Sequence, residues 1–344
     1  MNYNGAIRSV EELEERLSQP GPDLAESFSK VEGDILILGA GGKMGPSLAR
    51  MAKRASQLAG TRRRIIAVSR FSASGLRQQL DSQGIETISC ELLDEKALAQ
   101  LPKAPNIVYL AGMKFGATGQ EALTWAMNSF LPGLVCQNFP HSRIVAFSTG
   151  NVYGLSSVAT GGADETDLPE PVGEYAMSCL GRERIFEHFS RTLQIPISLI
   201  RLNYACDLRY GVLVDLARKI QTDQPIDLTM GHFNTIWQGD ANAVALRTFK
   251  HAASPPFTLN VTGAETLSVR EISTRLGALM RKTPRFAGTE APTALLSRSD
   301  KSVKLFGRPS VEASQLIEWV ADWVSQGGIS LGKPTHFESR DGKF

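Results

Sequence analysis

The sequence predicts an α/β protein with a doubly wound parallel sheet and a smaller C-terminal α/β part. Two observations predict this fold class. Strand-like apolar runs alternate with helix-like segments from residue 34 to residue 203, and a glycine-rich turn separates the first strand from the first helix. Such alternation is typical of parallel strands joined by right-handed helical crossovers. Beyond residue 203 the alternation loosens, so we expect a sheet domain followed by a less regular part.

Composition excludes several other classes of protein. Of 344 residues, 42% are hydrophobic and 21% are charged, and the net charge is +2; these values are ordinary for a globular chain. The three arginines at residues 62–64 are expected to form a solvated face rather than a nucleic-acid patch. No apolar run reaches membrane-spanning length, and no basic segment precedes an apolar one at the N-terminus. We therefore expect a cytoplasmic protein that contacts neither membrane nor nucleic acid.

The cysteines and histidines show no pattern of a metal site or a disulfide framework. The four cysteines are widely separated without a CxxC spacing, and the five histidines have no ligand spacing. The sequence therefore predicts free thiols in a reducing compartment and no metal.

An N-terminal helical arm, residues 1–33, precedes the first strand. Ser9 and Glu12 have the S-x-x-E spacing of a capping box, which predicts a short helix to about residue 17. A second short helix is predicted over residues 23–28, after a Pro-Gly-Pro break. We expect the arm to pack on the sheet domain or on a partner subunit, without chemistry of its own.

The elements of the sheet domain, residues 34–203, follow from the hydrophobic pattern and the turn residues. The predicted strands occupy residues 35–38, 64–68, 86–89, 106–110, 142–147 and 197–202. A seventh strand, at residues 257–261, lies in a segment near residues 229–262 that is expected to return to this domain. The predicted helices occupy residues 46–59, 74–82, 95–101, 121–138 and 174–192.

The C-terminal part comprises residues 204–228 and 263–330. Its predicted helices occupy residues 212–222, 268–280 and 310–325. Residues 331–344 form a polar tail rich in turn residues, which is either draped over the surface or partly disordered.

The glycine-rich turn runs from Gly39 to Gly45 with the spacing G-x-x-G-x-x-G, and Lys43 and Met44 fill its last gap. A strand, a glycine turn and a helix in this order place backbone N–H groups and a helix N-terminus around a pyrophosphate. Gly39 permits the tight turn, Gly42 lets the backbone approach the phosphates, and Gly45 lets the helix pack on the strand. The turn predicts a phosphate-bearing ligand; a glycine-rich turn without a ligand is the other interpretation.

Further motifs follow the glycine turn in a fixed order. They are Glu91-Leu92-Leu93-Asp94, residues 108–114, Asn128, residues 148–154 and Tyr175. Each is weak alone, but the ordered set over residues 34–325 resembles the extended short-chain dehydrogenase/reductase family, the group of NAD-dependent epimerases and dehydratases. The resemblance implies a Rossmann-type dinucleotide-binding domain and a substrate-binding role for the C-terminal part.

The resemblance implies cofactor contacts in several groups. The pyrophosphate would be held by Gly39, Gly42, Lys43, Met44 and Gly45. The adenine would be bordered by Glu91 and Leu92, and the nicotinamide with its ribose by Ala111, Gly112 and Lys114. The remaining implied cofactor positions are Asn128, Cys179 and Asn203.

The implied catalytic pair is Thr149 and Tyr175. Oxidation of a carbinol sends a hydride to the nicotinamide and a proton to a base. Tyr175 would move that proton, while the hydroxyl of Thr149 holds the substrate oxygen within hydrogen-bond reach. The candidate substrate contacts are Asn151, Tyr204, Asp207 and Arg209.

One position departs from the family pattern, because the expected Tyr-x-x-x-Lys reads Tyr175-Ala176-Met177-Ser178-Cys179. A lysine there would lie one helical turn from the tyrosine, bind the nicotinamide ribose and lower the tyrosine pKa from its usual value of about 10. Three explanations stay open. Lys114 supplies the charge as a third catalytic residue, the positively charged nicotinamide suffices, or the chain binds a cofactor without the usual redox step.

The end of the second predicted strand bears on the choice of cofactor. NAD sites carry a carboxylate there that accepts a hydrogen bond from the ribose 2′-hydroxyl. This chain has Ser69 and then Arg70; the serine removes a repulsion toward a 2′-phosphate, and an arginine binds phosphate with two hydrogen bonds. The sequence predicts NADP, with NAD possible, unless Arg70 stacks on the adenine or stays solvated.

Together these observations predict an NAD(P)-dependent oxidoreductase or epimerase. It would act by hydride transfer at a carbinol carbon of a sugar, a sugar acid or a nucleotide sugar. The C-terminal part shows no paired-arginine diphosphate clamp, which favours a sugar, sugar acid or polyol. The alternative is an NADP(H)-binding sensor or scaffold with reduced catalysis. The resemblance also implies a homodimer formed through the helices at residues 121–138 and 174–192.

Overall fold

A seven-stranded parallel sheet forms the centre of the molecule in a computed structural model that describes residues 5–114 and 118–343. The first four residues of the predicted arm and the last residue of the tail lie outside this part of the chain. The strands are β1 Ile35–Leu38, β2 Ile65–Ser69, β3 Glu86–Ser89, β4 Asn106–Tyr109, β5 Arg143–Thr149, β6 Ile197–Leu202 and β7 Phe257–Val261. Their order is β7-β6-β5-β4-β1-β2-β3, which confirms the doubly wound, Rossmann-type sheet.

The strand order reverses direction at β1, and this reversal locates the ligand crevice. β1 pairs with β2 on one side and with β4 on the other, so that Leu38 is level with both Val68 and Tyr109. β1 and β4 are buried at every position, as expected for parallel strands covered on both faces. In open sheets of this kind, ligands bind outside the carboxyl ends of the strands at the reversal.

The thirteen α-helices of the described residues cover the sheet and build the C-terminal part. They are α1 Val10–Leu17, α2 Pro22–Ser29, α3 Gly45–Leu58, α4 Leu76–Ser82, α5 Glu95–Ala99, α6 Glu121–Trp125, α7 Leu131–Asn138, α8 Gly173–Leu193, α9 Val212–Gln221, α10 Gln238–Arg247, α11 Val269–Met280, α12 Asp300–Phe306 and α13 Ala313–Ser325. Apolar side chains of α2, α3 and α10 pack on one face of the sheet. Those of α5, α7 and α8 pack on the other face.

The helix predicted over residues 121–138 is interrupted in the structure. A π-helical turn, Ala126–Phe130, separates α6 from α7, and Asn128 lies in its middle with its side chain buried. Such bulges inside helices are frequent at functional sites. Periodicity did not predict this interruption, because one wide turn barely changes the apolar stripe.

The C-terminal part has its own hydrophobic core, formed mainly by α9, α11 and α13. Short strand pairs surround it: Ala205–Cys206 with Ile236–Trp237, His232–Phe233 with Leu267–Ser268, Pro225–Asp227 with Arg285–Ala287, and Ser156–Ser157 with Thr293–Ala294. The chain returns from this part to the sheet through α10 and β7, which pairs with β6.

The N-terminal arm packs on both parts of its own chain. Ser9 accepts a hydrogen bond from the backbone N–H of Glu12 at 3.1 Å, as the capping box predicts. Leu13 of α1 is buried in the C-terminal core, and Phe28 of α2 is buried against the sheet. The arm therefore bridges the two parts.

The polar tail is draped over the C-terminal part, the first of the two arrangements predicted for it. The backbone N–H and the hydroxyl of Thr335 both donate to the carboxylate of Asp215, at 2.8 and 2.6 Å. The ring of Phe337 is buried in the C-terminal core. Arg340 donates to the backbone carbonyls of Thr229 and Thr293.

Two features are absent from the described residues. None of their helices combines the length and the apolarity that crossing a bilayer requires. Their His, Cys, Asp and Glu side chains form no group of three that could hold a metal ion. The four cysteines are free and buried.

Candidate active site

A cleft of about 800 Å³ opens at the carboxyl ends of the strands, where the strand order reverses. The loops after β1, β2 and β3 form one end of it. The other end is formed by the segment after β4, the end of β5, α8 and the C-terminal part, and the side chain of Lys43 reaches that end from the glycine turn. We name these the cofactor end and the catalytic end.

Gly39 and Gly45 of the glycine turn, at the cofactor end, leave no space for a side chain. Gly39 has φ +88°, and a Cβ on it would lie 2.6 Å from the backbone nitrogen of Ala111. A Cβ on Gly45 would lie 2.2 Å from the carbonyl oxygen of Ala40. A Cβ on Gly42 would meet only the carbonyl oxygen of Gly39, at 3.5 Å. The turn thus presents bare backbone at the start of α3, which is the arrangement that fits a pyrophosphate.

The loops after β2 and β3 form the outer wall of the cofactor end. Ser69, Arg70, Glu91 and Leu92 all line it. The side chain of Arg70 is 74% exposed and lies 3.4 Å from the carboxylate of Glu91. Among the described residues that line this wall, Glu91 is the one carboxylate, and it already lies beside a cation.

Thr149 and Tyr175 meet at the catalytic end. Thr149 is the last residue of β5, and its hydroxyl oxygen accepts hydrogen bonds from the backbone and side-chain amides of Asn151 at 3.1 and 2.9 Å. The hydroxyl of Tyr175, on α8, forms side-chain hydrogen bonds with Thr149 and with Cys179. The structure therefore brings together two hydroxyls from segments far apart in the sequence.

The environment of Tyr175 keeps its phenol protonated. Burial raises the pKa of Tyr175 well above its ordinary value, and the neighbouring Cys179 adds to the rise. The positive charge of Arg182 and the hydrogen bond with Thr149 act in the opposite direction. Burial also raises the pKa of Cys179, so this residue is a neutral thiol rather than a reactive thiolate.

Asn128 lies beneath the cleft and holds the segment that follows β4. Its side-chain oxygen accepts from the backbone N–H of Met113 at 2.8 Å, and its amide donates to the carbonyl of Met113 at 3.0 Å. The amide also donates to the hydroxyl of Ser178 on α8 at 3.0 Å. Asn128 thereby ties the loop that carries Gly112 and Lys114 to the helix that carries Tyr175.

Two lysines enter the cleft with lowered pKa values. Lys43 extends from the glycine turn to the C-terminal part, donates to the carbonyl of Ala205 at 3.1 Å and lies 3.7 Å above the ring of Tyr210. The ammonium of Lys114 lies 5.8 Å from the centre of the Tyr175 ring. Burial lowers the pKa of each lysine to about 8, so both lose their charge within the range of ordinary buffers.

The structure of this cleft can be compared with known proteins. No family model matches the chain, and no curated protein does. Among solved structures, a UDP-glucuronic acid 4-epimerase from Bacillus cereus in complex with NAD aligns with a TM-score of 0.68 at 20% identity, over 85% of this chain and 99% of its own. A UDP-galactose 4-epimerase aligns with a TM-score of 0.67 at 18% identity, over 86% and 99%.

A third match is a UDP-glucose 4-epimerase from Thermotoga maritima with UDP-glucose, at a TM-score of 0.68 and 14% identity, over 86% of this chain and 99% of its own. This chain has the fold of the UDP-sugar 4-epimerases. The resemblance inferred from the motifs is therefore confirmed at the level of the fold, and the cleft lies where that fold predicts it.

Most of the predicted site residues line the cleft of this epimerase fold. They are Gly39, Gly42, Lys43, Met44, Gly45, Ser69, Arg70, Glu91, Leu92, Ala111, Gly112, Lys114, Thr149, Asn151, Tyr175, Asn203 and Tyr204. Tyr204 has φ +46°, a conformation that costs a residue with a Cβ about 1 kcal/mol or more and is concentrated at functional sites.

Four predicted residues lie away from the cleft wall. Asn128 and Cys179 are buried beneath it. Asp207 and Arg209 form an ion pair at 2.9 Å, and Arg209 also pairs with Glu14 of α1 at 2.6 Å. These last two candidates therefore fix the arm to the C-terminal part. A position just after a strand end did not reveal that their charges are already paired.

Several residues that the sequence did not predict also line the cleft: Gly41, Ser148, Arg182, Tyr210, Lys333 and Thr335. Arg182 follows Tyr175 by seven residues, two helical turns on the same face, so helix periodicity could have indicated it. Lys333 and Thr335 belong to the tail, and no local pattern connects them to the strand ends.

Basic side chains predominate on the cleft wall. Lys43, Arg70, Lys114, Arg182 and Lys333 line it, whereas Glu91 is its one carboxylate in the part of the chain that the structure describes. Glu91 lies beside Arg70 at the cofactor end, so the catalytic end has basic residues and no acid among its described lining.

Proposed function

We propose that the chain is an NAD(P)-dependent enzyme of the extended short-chain dehydrogenase/reductase type. It would transfer a hydride at a carbinol carbon of a carbohydrate-like substrate, as an oxidoreductase or as an epimerase that oxidises its substrate transiently. One observation carries this proposal: the hydrogen-bonded hydroxyls of Tyr175 and Thr149 face the same cleft as the bare backbone of the glycine turn.

The residues divide the work between the two ends of the cleft. The nicotinamide dinucleotide, when bound, supplies the acceptor and donor of the hydride. The backbone of the glycine turn would hold its pyrophosphate, and Ala111 and Gly112 would border its reactive end. Thr149 would hold the substrate oxygen, and Tyr175 would remove the proton from the substrate hydroxyl.

Proton transfer by Tyr175 needs positive charge close by. Burial makes its pKa high, so the tyrosinate is scarce at neutral pH until a cation stabilises it. Arg182 and Lys114 both lie at this end of the cleft. Lys114 therefore remains a candidate for the charge that Cys179 does not supply.

We propose a substrate that carries a carboxylate or a phosphate. The described lining of the catalytic end carries Lys43, Lys114 and Lys333 and no carboxylate, and a cleft whose wall carries one sign of charge attracts ligands of the opposite sign. UDP-glucose, which accompanies one of the matched epimerases, also carries phosphate. A comparison of each sugar acid or sugar phosphate with its neutral parent sugar would test the proposal, and equal KM values for the pair would contradict it.

We also propose NADP as the preferred cofactor. Ser69 and Arg70 lie at the cofactor end, where they would contact a 2′-phosphate, although the matched Bacillus cereus epimerase holds NAD.

We also propose a homodimer as the assembly. The helices expected to dimerise expose three large apolar side chains, Trp125, Phe130 and Met177, which are 38, 56 and 39% exposed. Phe130→Asp should convert the dimer to a monomer in sedimentation velocity, and an unchanged sedimentation coefficient would contradict this interface.

Substitution of Tyr175 tests the function itself. Substrates are first found by screening sugars, sugar acids and sugar phosphates for reduction of NADP or NAD. Tyr175→Phe should then reduce kcat about 100-fold or more, the size of a lost general base, while NADPH fluorescence titration stays unchanged. Thr149→Val should act in the same direction. A Tyr175→Phe variant with full turnover would contradict the proposed function.

A further inference from the structure

Two adjacent residues of α8, Arg182 and Glu183, take part in different buried contacts. Glu183 receives a two-pronged ion pair from Arg201, with the shortest N–O distance at 2.7 Å. The hydroxyl of Ser148 also donates to Glu183, at 2.5 Å. The charge of Arg201 is therefore neutralised by a carboxylate, as buried arginines normally require.

Arg182 is as buried as Arg201, at 7% and 6% exposed, but it donates only to neutral oxygens. Its side chain donates to the carbonyl of Phe147 at 2.8 Å, to the side-chain oxygen of Asn128 at 2.6 Å and to the carbonyl of Asn128 at 3.4 Å. It forms no ion pair within the described residues, 5–114 and 118–343. A buried cation that forms no ion pair with a carboxylate is costly, which points to a use for its charge.

The guanidinium of Arg182 lies on the same helix face as Tyr175 and Cys179, where the family pattern would place a lysine. It follows Cys179 by three residues and Tyr175 by seven, so all three lie on one face of α8. It lines the cleft, and a Cβ added to Gly112 would lie 2.3 Å from its Nη2 atom. It therefore occupies the cleft wall between the loop after β4 and the Tyr175–Cys179 contact.

Electrostatic effects agree with this geometry. Arg182 lowers the pKa of Tyr175, against the effects of burial and of Cys179. Arg182 also lowers the pKa of the Cys179 thiol. Its hydrogen bonds to Asn128 keep it fixed, because Asn128 is itself held by both backbone groups of Met113.

We propose that Arg182 is a positioning residue that supplies Tyr175 with the positive charge that a lysine at position 179 would otherwise provide. A lysine at position 179 would act from the turn of α8 next to Tyr175. Arg182 acts from the following turn, and its guanidinium is held in place by Asn128. It transfers no proton itself, because the guanidinium stays protonated while Tyr175 exchanges a proton with the substrate. This inference rests on the proposed function only for its consequence in turnover.

The test measures the ionisation of Tyr175 directly, without cofactor or substrate. The ultraviolet absorbance of tyrosinate is followed against pH, and the same titration of the Tyr175→Phe variant is subtracted. Arg182→Gln should move the titration of Tyr175 to higher pH by about one unit or more, since one unit corresponds to about 1.4 kcal/mol of lost charge interaction. Arg182→Lys should recover most of the shift. Arg184→Gln, an exposed arginine on the same helix that pairs with Glu187, is the matched control and should leave it unchanged.

A second background brings the titration to lower pH, because burial raises the pKa of Tyr175 well above its ordinary value in the original chain. In Cys179→Lys protein, the family arrangement is rebuilt and Tyr175 should titrate at lower pH than in the original chain. Adding Arg182→Gln to that variant should move the titration back toward the original value. If Arg182→Gln leaves the titration unchanged in both backgrounds, Arg182 supports the fold alone and the inference is overturned.

Turnover then separates this inference from the proposed function. For substrate oxidation, the pH at which kcat rises should move upward in Arg182→Gln in parallel with the tyrosinate titration. A shift in the titration together with no turnover of any sugar-like substrate overturns the proposed function and supports the role of Arg182. If the enzyme turns over a substrate but neither the tyrosinate titration nor the pH profile shifts in Arg182→Gln, the proposed function is supported and the role of Arg182 is overturned.

Discussion

The two ends of the cleft are built in different ways. The cofactor end is mostly backbone, from one continuous turn at residues 39–45 and from three neighbouring strand ends. The catalytic end consists of side chains brought from distant segments, such as Lys114, Thr149, Tyr175 and Lys333. Spacing in the sequence is enough to reveal the first end, because backbone geometry is local. The second end depends on tertiary packing.

The largest effect in this comparison is expected at the cofactor end. Gly45→Val places a side chain where a Cβ would already lie 2.2 Å from the carbonyl oxygen of Ala40. The start of α3 must then move, and dinucleotide affinity should fall about 100-fold or more, as lost phosphate hydrogen bonds imply. NADPH fluorescence titration measures this. Gly21→Ala, where a Cβ meets nothing within 4 Å, is the control; equal losses in both would show that the turn has no special role.

A smaller and more selective effect is expected at Arg70. Loss of a charge-assisted hydrogen bond to a 2′-phosphate should weaken NADPH binding about 20-fold in Arg70→Ser. NADH binding should not change. Glu91→Gln should strengthen NADPH binding, because it removes the carboxylate 3.4 Å from Arg70. An equal loss of NADH and NADPH affinity in Arg70→Ser would contradict the preference for NADP.

Substrate binding at the catalytic end should depend on pH, because it involves titrating lysines, whereas the backbone of the cofactor end does not titrate. Lys43 and Lys114 have pKa values lowered to about 8 by burial. An anionic substrate favours their charged forms, so binding takes up protons and is strongest below pH 8. For one linked proton and a pKa of about 8 in the free enzyme, KM should rise about fivefold between pH 8 and pH 9. The neutral parent sugar is the control, and a KM for the anion that does not depend on pH would contradict the lysine assignment.

The smallest effect is expected in the tail. Thr335→Val removes the hydroxyl that donates to the partly buried carboxylate of Asp215 at 2.6 Å, while the backbone N–H remains. We expect a loss of about 1 to 2 kcal/mol in unfolding free energy, with a few-fold rise in substrate KM and unchanged NADPH binding. Urea denaturation and kinetics measure both. Thr274→Val on the exposed face of α11 should change neither, and a drop in NADPH affinity in Thr335→Val would break the separation of the two ends.

Much of the fold could be predicted from the sequence, because short apolar runs between turn residues identify parallel strands with little help from tertiary structure. The bounds of β1, β3, β6 and β7 agree with the predicted ones, and those of β2, β4 and β5 differ by one or two residues. The prediction failed to show the π-turn at Asn128, because its effect on side-chain periodicity is slight.

The candidate site was predictable only in part. Tyr175 and Thr149 could be predicted from motifs. The same motifs include position 179 but not position 182, so they did not indicate Arg182. Asp207 and Arg209 were expected to bind substrate, yet their charges are paired with each other and with Glu14. Whether a charged side chain is neutralised depends on neighbours that are remote in sequence, and periodicity carries no information about them.

The contribution of the tail gives the two ends of the cleft different histories during synthesis. Lys333 and Thr335, which complete the cleft wall, leave the ribosome almost 300 residues after the glycine turn. At about 5 to 20 residues per second, this interval is on the order of tens of seconds. A growing chain can therefore form its cofactor cradle well before it has a place for substrate, and a cofactor already present in the cell can stabilise the half-made protein while the rest is translated.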